Sequence, residues 1–127
     1  VQMSLDRSLD PALHAAAGAA LASLRDEGVL ILGSGMSFHN MRAYGDPRAT
    51  APSLAFDQWL DDAVQQEGPE RTAALSRWAE APAGRLSHPR EEHLIPLMVA
   101  VGASENAGRR VFGELVLGTA VSGFRFD

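Results

Sequence analysis

The chain contains no cysteine and no lysine, and each absence removes a chemistry. Without thiols there are no disulfides, no thiolate zinc sites and no cysteine nucleophile, and the redox compartment is left open. Without lysine there is no Schiff-base or amine-nucleophile chemistry, since all 11 cationic side chains are arginines. Aromatic residues make up only 6%, and Trp59 and Trp78 lie among apolar neighbours, so they read as core rather than as a stacking platform. No apolar run approaches the length of a membrane span. A net charge of -5 argues against a nucleic-acid groove or an anionic membrane surface. The expectation is therefore a soluble, cytoplasmic protein with neither nucleic acid nor membrane as partner.

What is present suffices for one domain: 127 residues, 46% hydrophobic and 21% charged. Its most informative stretch runs from Val29 to Asn40 (VLILGSGMSFHN). Val29 to Leu32 read as a strand buried on both faces, as in a parallel sheet. Gly33 and Gly35 then allow a sharp turn at the strand end, where ligands of open α/β sheets collect. A histidine delivered to that rim, His39, is suited to exchange protons near neutral pH.

Asp10-Pro11 opens a helix, with an acidic cap and proline at the first helical position. Together with strand-like Val1 to Leu5 and Val29 to Leu32, that helix predicts a parallel strand–helix–strand unit. Met41 to Ala51 reads as a loop, Pro52 to Gln66 and Pro69 to Ala81 as helices, and Pro89 to Val101 as a third helix kinked at Pro96. Arg110 to Gly118 and Ala120 to Phe126 read as a hairpin turning at Gly118-Thr119. The fold class expected is α/β, a mixed sheet with flanking helices.

Ser87 to Leu97 (SHPREEHLIPL) holds a second cluster, with His88, Glu91, Glu92 and His93 on a helix start. On an ideal helix of ~3.6 residues per turn, His88 and His93 point about 140° apart, so they would not share one metal. A metal site needs three or four ligands, and this chain supplies about two. Each feature also has a plain explanation. A histidine after a glycine turn serves as a loop residue bonded to backbone, and an Arg-Glu-Glu-His turn serves as a solvated helix start. His14 reads as structural or exposed, Arg109-Arg110 as a solvated strand start, and Asp61-Asp62 as a polar helix face.

Gly33 to Asn40 and His88 to Leu97, in this order and separation, resemble the class III extradiol ring-cleavage dioxygenases, in particular the DOPA-dioxygenase-like, LigB-like branch. Val1 to Asp6 and the closing strand pair add weaker likeness, so the resemblance covers essentially the whole chain. It implies a mononuclear non-haem metal, Fe(II) with Zn(II) as the purified alternative, and a catechol-type substrate opened with O2. His39 is similar to the family's acid/base histidine. His93 matches a metal ligand, with Glu92 as the alternative. His88, Arg42 and Tyr44 are candidates for contact with substrate.

Two upstream family motifs, of the His-Gly-Ser-Pro and Ser-Ala-His-Trp types, have no match here. Residues 1–127 are therefore expected to form a single partial domain, the C-terminal half of a LigB-like fold. The N-terminal half, as part of the same protein or as a partner chain, would complete the site. Sheet edges left exposed would favour a homo-oligomer. The alternative is a non-catalytic LigB-like binding module. Zinc-dependent hydrolysis ranks last, because neither Ser34 nor Ser37 sits in a nucleophile elbow.

Overall fold

Asp10 caps the first helix, α1 (Pro11–Leu21), by accepting the Leu13 N–H at 2.7 Å, in a computed structural model that describes residues 1–127. His14 on this helix is buried. Its Nδ1 donates to the Asp10 carbonyl at 2.6 Å and its Nε2 accepts the Asp6 N–H at 3.0 Å, so it ties the N-terminal residues to the helix. A short 3-10 segment (Ala22–Glu27) follows and ends at Gly28.

The remaining helices are α2 (Thr50–Val64), α3 (Gly68–Ser76), a single turn α4 (Gly84–Ser87) and α5 (Ile95–Gly102). A hairpin closes the chain. Its strands, β1 (Gly108–Val116) and β2 (Thr119–Phe126), pair antiparallel, with an irregularity between Arg110 and Phe112. Leu117 and Gly118 both adopt positive φ at the turn, the conformation that tight hairpins demand. The core lies where α2, α3 and α5 meet, with Phe56, Leu60, Leu75, Trp78, Leu94 and Met98 fully or nearly fully buried. No helix is long and apolar enough to cross a membrane.

Two buried polar side chains lock this core. Arg71 is 1% exposed, and its guanidinium donates to the carbonyls of Val101 (2.9 Å), Ser104 and Asn106, where α5 ends and the chain leaves it. A cation there complements the negative end of the helix. Burial pulls the Arg71 pKa down, with Glu105 and Glu67 acting in the opposite direction. His88 is 0% exposed, edge-on to Phe56 (5.5 Å) and Trp78 (5.9 Å), and its Nε2 donates to the Ser37 carbonyl at 2.9 Å.

The helices expected from Pro11, Pro52 and Pro69 form with small shifts of boundary, the last dividing into α3 and a 3-10 turn (Trp78–Glu80). Three expectations are corrected. The parallel strand pair does not form, and the only sheet is the hairpin. Val1 to Leu5 and Val29 to Leu32 stay unpaired, and Leu30 and Leu32 are 83% and 78% exposed. Strand pairing depends on a partner remote in sequence, and no described residue pairs with either stretch as a strand. The third helix starts at Ile95, so Pro96 sits in its first turn and not in its interior. Finally, Arg110 is not merely solvated, because it pairs with Asp57 (2.9 Å) and Asp61 (3.4 Å) on α2.

Helix α1 lies so close to α5 that a Cβ at Gly102 would fall 1.9 Å from the Ala15 carbonyl oxygen. Gly102→Ala should separate the two helices and cost about 1–3 kcal/mol, read as a lower urea midpoint with unchanged slope. His88 generates a pH prediction. Burial pushes its pKa from 6.5 down to about 4, so the unfolded chain binds its proton first. The resulting stability is complete above pH 6.5 and lost as pH falls toward 4, on the order of 3 kcal/mol. Urea midpoints measured across that window should fall for the wild type but stay flatter for His88→Gln. Equal slopes would remove His88 as the cause.

Candidate metal centre

The segment that follows the unpaired Val29 to Leu32 is fastened along the turn between α4 and α5. The Met36 N–H donates to the His93 carbonyl (2.8 Å) and the His39 N–H to the Ser87 carbonyl (2.9 Å). Asn40 Nδ2 donates to the Leu86 carbonyl at 2.8 Å. From the other side, Ser37 Oγ accepts the Ser122 N–H of β2 at 2.7 Å. Such an approach leaves no room for side chains: a Cβ at Gly35 would lie 2.1 Å from the His93 carbonyl oxygen, and one at Gly33 2.4 Å from that of Pro96. The glycines that the sequence suggested for a turn thus serve chiefly to let two stretches of backbone touch.

This contact brings His39 onto His93. Their rings stack with centroids 3.5 Å apart and planes 17° from parallel. Glu92 completes the group, its Oε1 lying 3.5 Å from His93 Nδ1 and its Oε2 3.4 Å from Arg90 Nε. One ligand atom from each of His39, Glu92 and His93 lies within 4.8 Å of the others. Glu92 Oε2 and His93 Nδ1 have no hydrogen-bond partner although both atoms are shielded from solvent. Two imidazoles and a carboxylate form the donor set of non-haem Fe(II) sites and also suit Zn(II), so these residues fit a divalent metal.

Of the three, His93 lines an open groove of about 570 Å³, whose walls include Ile31, Met36, Leu97, Val111 and Phe124. A mostly apolar wall with a few polar groups at one end suits a small aromatic molecule.

The other candidates lie elsewhere. His88 is buried behind the site and does not line the groove. Tyr44 donates its hydroxyl to the Phe38 carbonyl (2.8 Å) and meets the Phe38 ring edge-on at 5.6 Å, so it braces the residue before His39. Burial raises its phenol pKa. Arg42 is exposed, its N–H donating to Asn40 Oδ1 at 3.2 Å, and neither Arg42 nor Tyr44 lines the groove. Sequence reasoning missed Ser37, Ser122 and Arg90. The first two are joined to each other by one hydrogen bond between segments remote in sequence, which carries no local signal. Arg90 was visible only as part of a charged turn.

Residues 3–123 match the family described as the catalytic LigB subunit of aromatic ring-opening dioxygenase. The 4,5-DOPA dioxygenase extradiol of Beta vulgaris is 40% identical over 119 residues, which cover 91% of this chain and 42% of that protein. The protein of the same description from Escherichia coli (strain K12) is 34% identical over 106 residues, covering 81% of this chain and 39% of that protein. A crystal structure of uncharacterized protein JW3007 from Escherichia coli K12 superposes with a TM-score of 0.86 at 25% identity, over 98% of this chain and 53% of that one. The chain thus spans about two fifths of the length of these curated relatives. With residues 3–123 matched to the family and a relative 40% identical over 91% of this chain, the chain belongs to the LigB family of aromatic ring-opening dioxygenases.

Proposed function

We propose that this chain forms part of an extradiol dioxygenase that opens the ring of a catechol-type substrate with O2. The observation that carries the reading is the convergence of His39 and Glu92 on His93, which itself lines an apolar groove. His93 would hold the metal, with Glu92 as the alternative ligand, and Fe(II) is the metal that suits the reaction, with Zn(II) as a substitute. Bound there, the metal would supply a Lewis-acidic, redox-active centre at which the diol and O2 meet.

The stacked geometry supports a division of labour. A metal takes an imidazole nitrogen along its in-plane lone pair, and rings 3.5 Å apart and 17° from parallel send their lone pairs side by side. One ring can then face the ion squarely while the other lies beside it. His39, on the fastened segment, would be the second ring: it would accept a proton from the diol and return one to oxygen as the ring opens. Arg90 would hold Glu92 in place from the solvent side, and Leu97 and Phe124 would flank the ring. Both oxygen atoms end in the product, one on each side of the broken carbon–carbon bond, so no external reductant is consumed.

The relatives carry more than half of their length outside the span matched here. The remaining metal ligands and the facing pocket wall would come from that part of the domain, in the same polypeptide or in a partner chain. A catechol is as far as the substrate is specified; DOPA, named for the relatives, is one member of the class.

In the assembled enzyme, His39→Gln should leave metal content unchanged and lower kcat for catechol-dependent O2 uptake by about 10²–10⁴-fold. His93→Ala should lower metal content by more than about tenfold. Undiminished turnover in His39→Gln would take His39 out of the chemistry, and full metal occupancy in His93→Ala would transfer the ligand role to Glu92.

A further inference from the structure

We infer that His88 is a positioning residue whose buried N–H fixes His39 against His93. The Ser37 carbonyl only accepts, so His88 Nε2 carries the hydrogen of the bond between them, which spans 51 residues of sequence. Nδ1 is buried and has no partner, so that single bond is all the polar contact the imidazole makes. Phe56 and Trp78 meet the ring edge-on at 5.5 and 5.9 Å and leave it little freedom to turn.

The bond matters because of where it lands. Ser87 and His88 are consecutive, and they hold residues two apart on the facing segment: the Ser87 carbonyl accepts the His39 N–H, and the His88 ring N–H donates to the Ser37 carbonyl. Two such rungs set both the height and the rotation of the backbone that carries His39. Ser37 is itself buried. Without the imidazole N–H, its carbonyl would be left in the interior without a donor, and an unsatisfied buried acceptor drives local rearrangement. Any rearrangement there moves His39 relative to His93, whose own main-chain carbonyl is bound one residue earlier, to Met36. An ordinary core histidine would need only volume; this one supplies a directed donor to the segment that presents the partner ring.

The inference depends on the proposed dioxygenase role only for its consequence in turnover, and its test uses neither metal nor activity. The chain has 4 histidines, so ring resonances of the isolated protein, labelled with carbon-13 and nitrogen-15 in histidine, can be assigned by single substitutions. In the wild type, His39 and His93 ring protons should be displaced upfield by their mutual stack, and His88 should show the tautomer protonated at Nε2. His88→Leu should abolish the upfield displacement of both rings and leave the His14 resonances in place. His88→Gln, which offers an N–H at similar reach, should retain the displacement. Persistence of the displaced pair in folded His88→Leu overturns the inference, as does an Nδ1-protonated His88 in the wild type. Where His88→Leu fails to fold, seen as His14 moving to its denatured position, folded His88→Gln decides: a displaced pair sustains the inference and an undisplaced pair overturns it. Loss of turnover in His39→Gln, or its absence, leaves these spectra unaffected, so the two readings fail separately.

Discussion

Backbone packed directly on backbone is the constraint on which the site depends. The stretch from Gly33 to Asn40 lies against the turn from Ser87 to Pro96 with no side chain between them at Gly33 and Gly35. Every candidate group follows from that contact. His39 reaches His93 because their backbones are one hydrogen-bonded layer apart, and Glu92 joins them because it precedes His93 in the same turn. A single methyl at position 35 would have to displace the very carbonyl that belongs to His93. Steric permission here comes before chemistry.

That layer would drift if the turn were free, and two arginines at the far end of α5, one buried and one half-buried, prevent this. Arg71 and Arg25 both donate to main-chain carbonyls where the helix ends: Arg71 to Val101, Ser104 and Asn106, and Arg25 to Ala103 (2.8 Å) and to Phe126 at the end of β2 (3.1 Å). Each guanidinium satisfies several acceptors that packing would otherwise leave bare, and each sits at the negative pole of the helix. His93 stands two residues before the helix begins. Holding the C-terminal end of a stiff eight-residue helix therefore also holds the residues at its N-terminal end. The Arg71 ring contact with Phe126, at 5.1 Å, fastens the hairpin to the same anchor.

Local signals made much of this legible. Asp10-Pro11, the glycine and proline boundaries, and the apolar spacing of the segments from Pro52 and Pro69 located α1, α2 and α3. The alternation around Gly118 located the hairpin. The segment from Val29 to Leu32 shows where such reading stops. Its aliphatic run signals burial on both faces, and the described chain offers no strand beside it, since pairing is decided by residues far away in sequence. Pro96 marks a second limit: proline breaks a helix interior but opens a helix well, and only the observed start at Ile95 distinguishes the two. At the site, His39, Glu92 and His93 were readable from residue type and motif. Their mutual geometry was not, because the stack arises from hydrogen bonds between segments some fifty residues apart, such as that of His39 to Ser87. His88 was read as a substrate contact because it shares the motif; its complete burial depends on Phe56 and Trp78, which no local pattern connects to it.

The delivering segment changes character along its length, and this bears on how such a site works. From Met36 onward it is fastened by the main chain at Met36 and His39 and by the side chain of Asn40, with Ser37 clasped from both sides. From Leu30 to Gly35 its N–H groups have no main-chain partner, and most of these residues line the groove. His39, the histidine proposed to handle protons, thus stands on the fastened part, where a misplacement of a fraction of an ångström would lower the efficiency of proton transfer. The groove wall stands on the part whose hydrogen-bonding capacity is still unspent. A segment so divided lets the wall be shaped by whatever pairs with it, while the distance between His39 and His93 is set independently by the turn before α5.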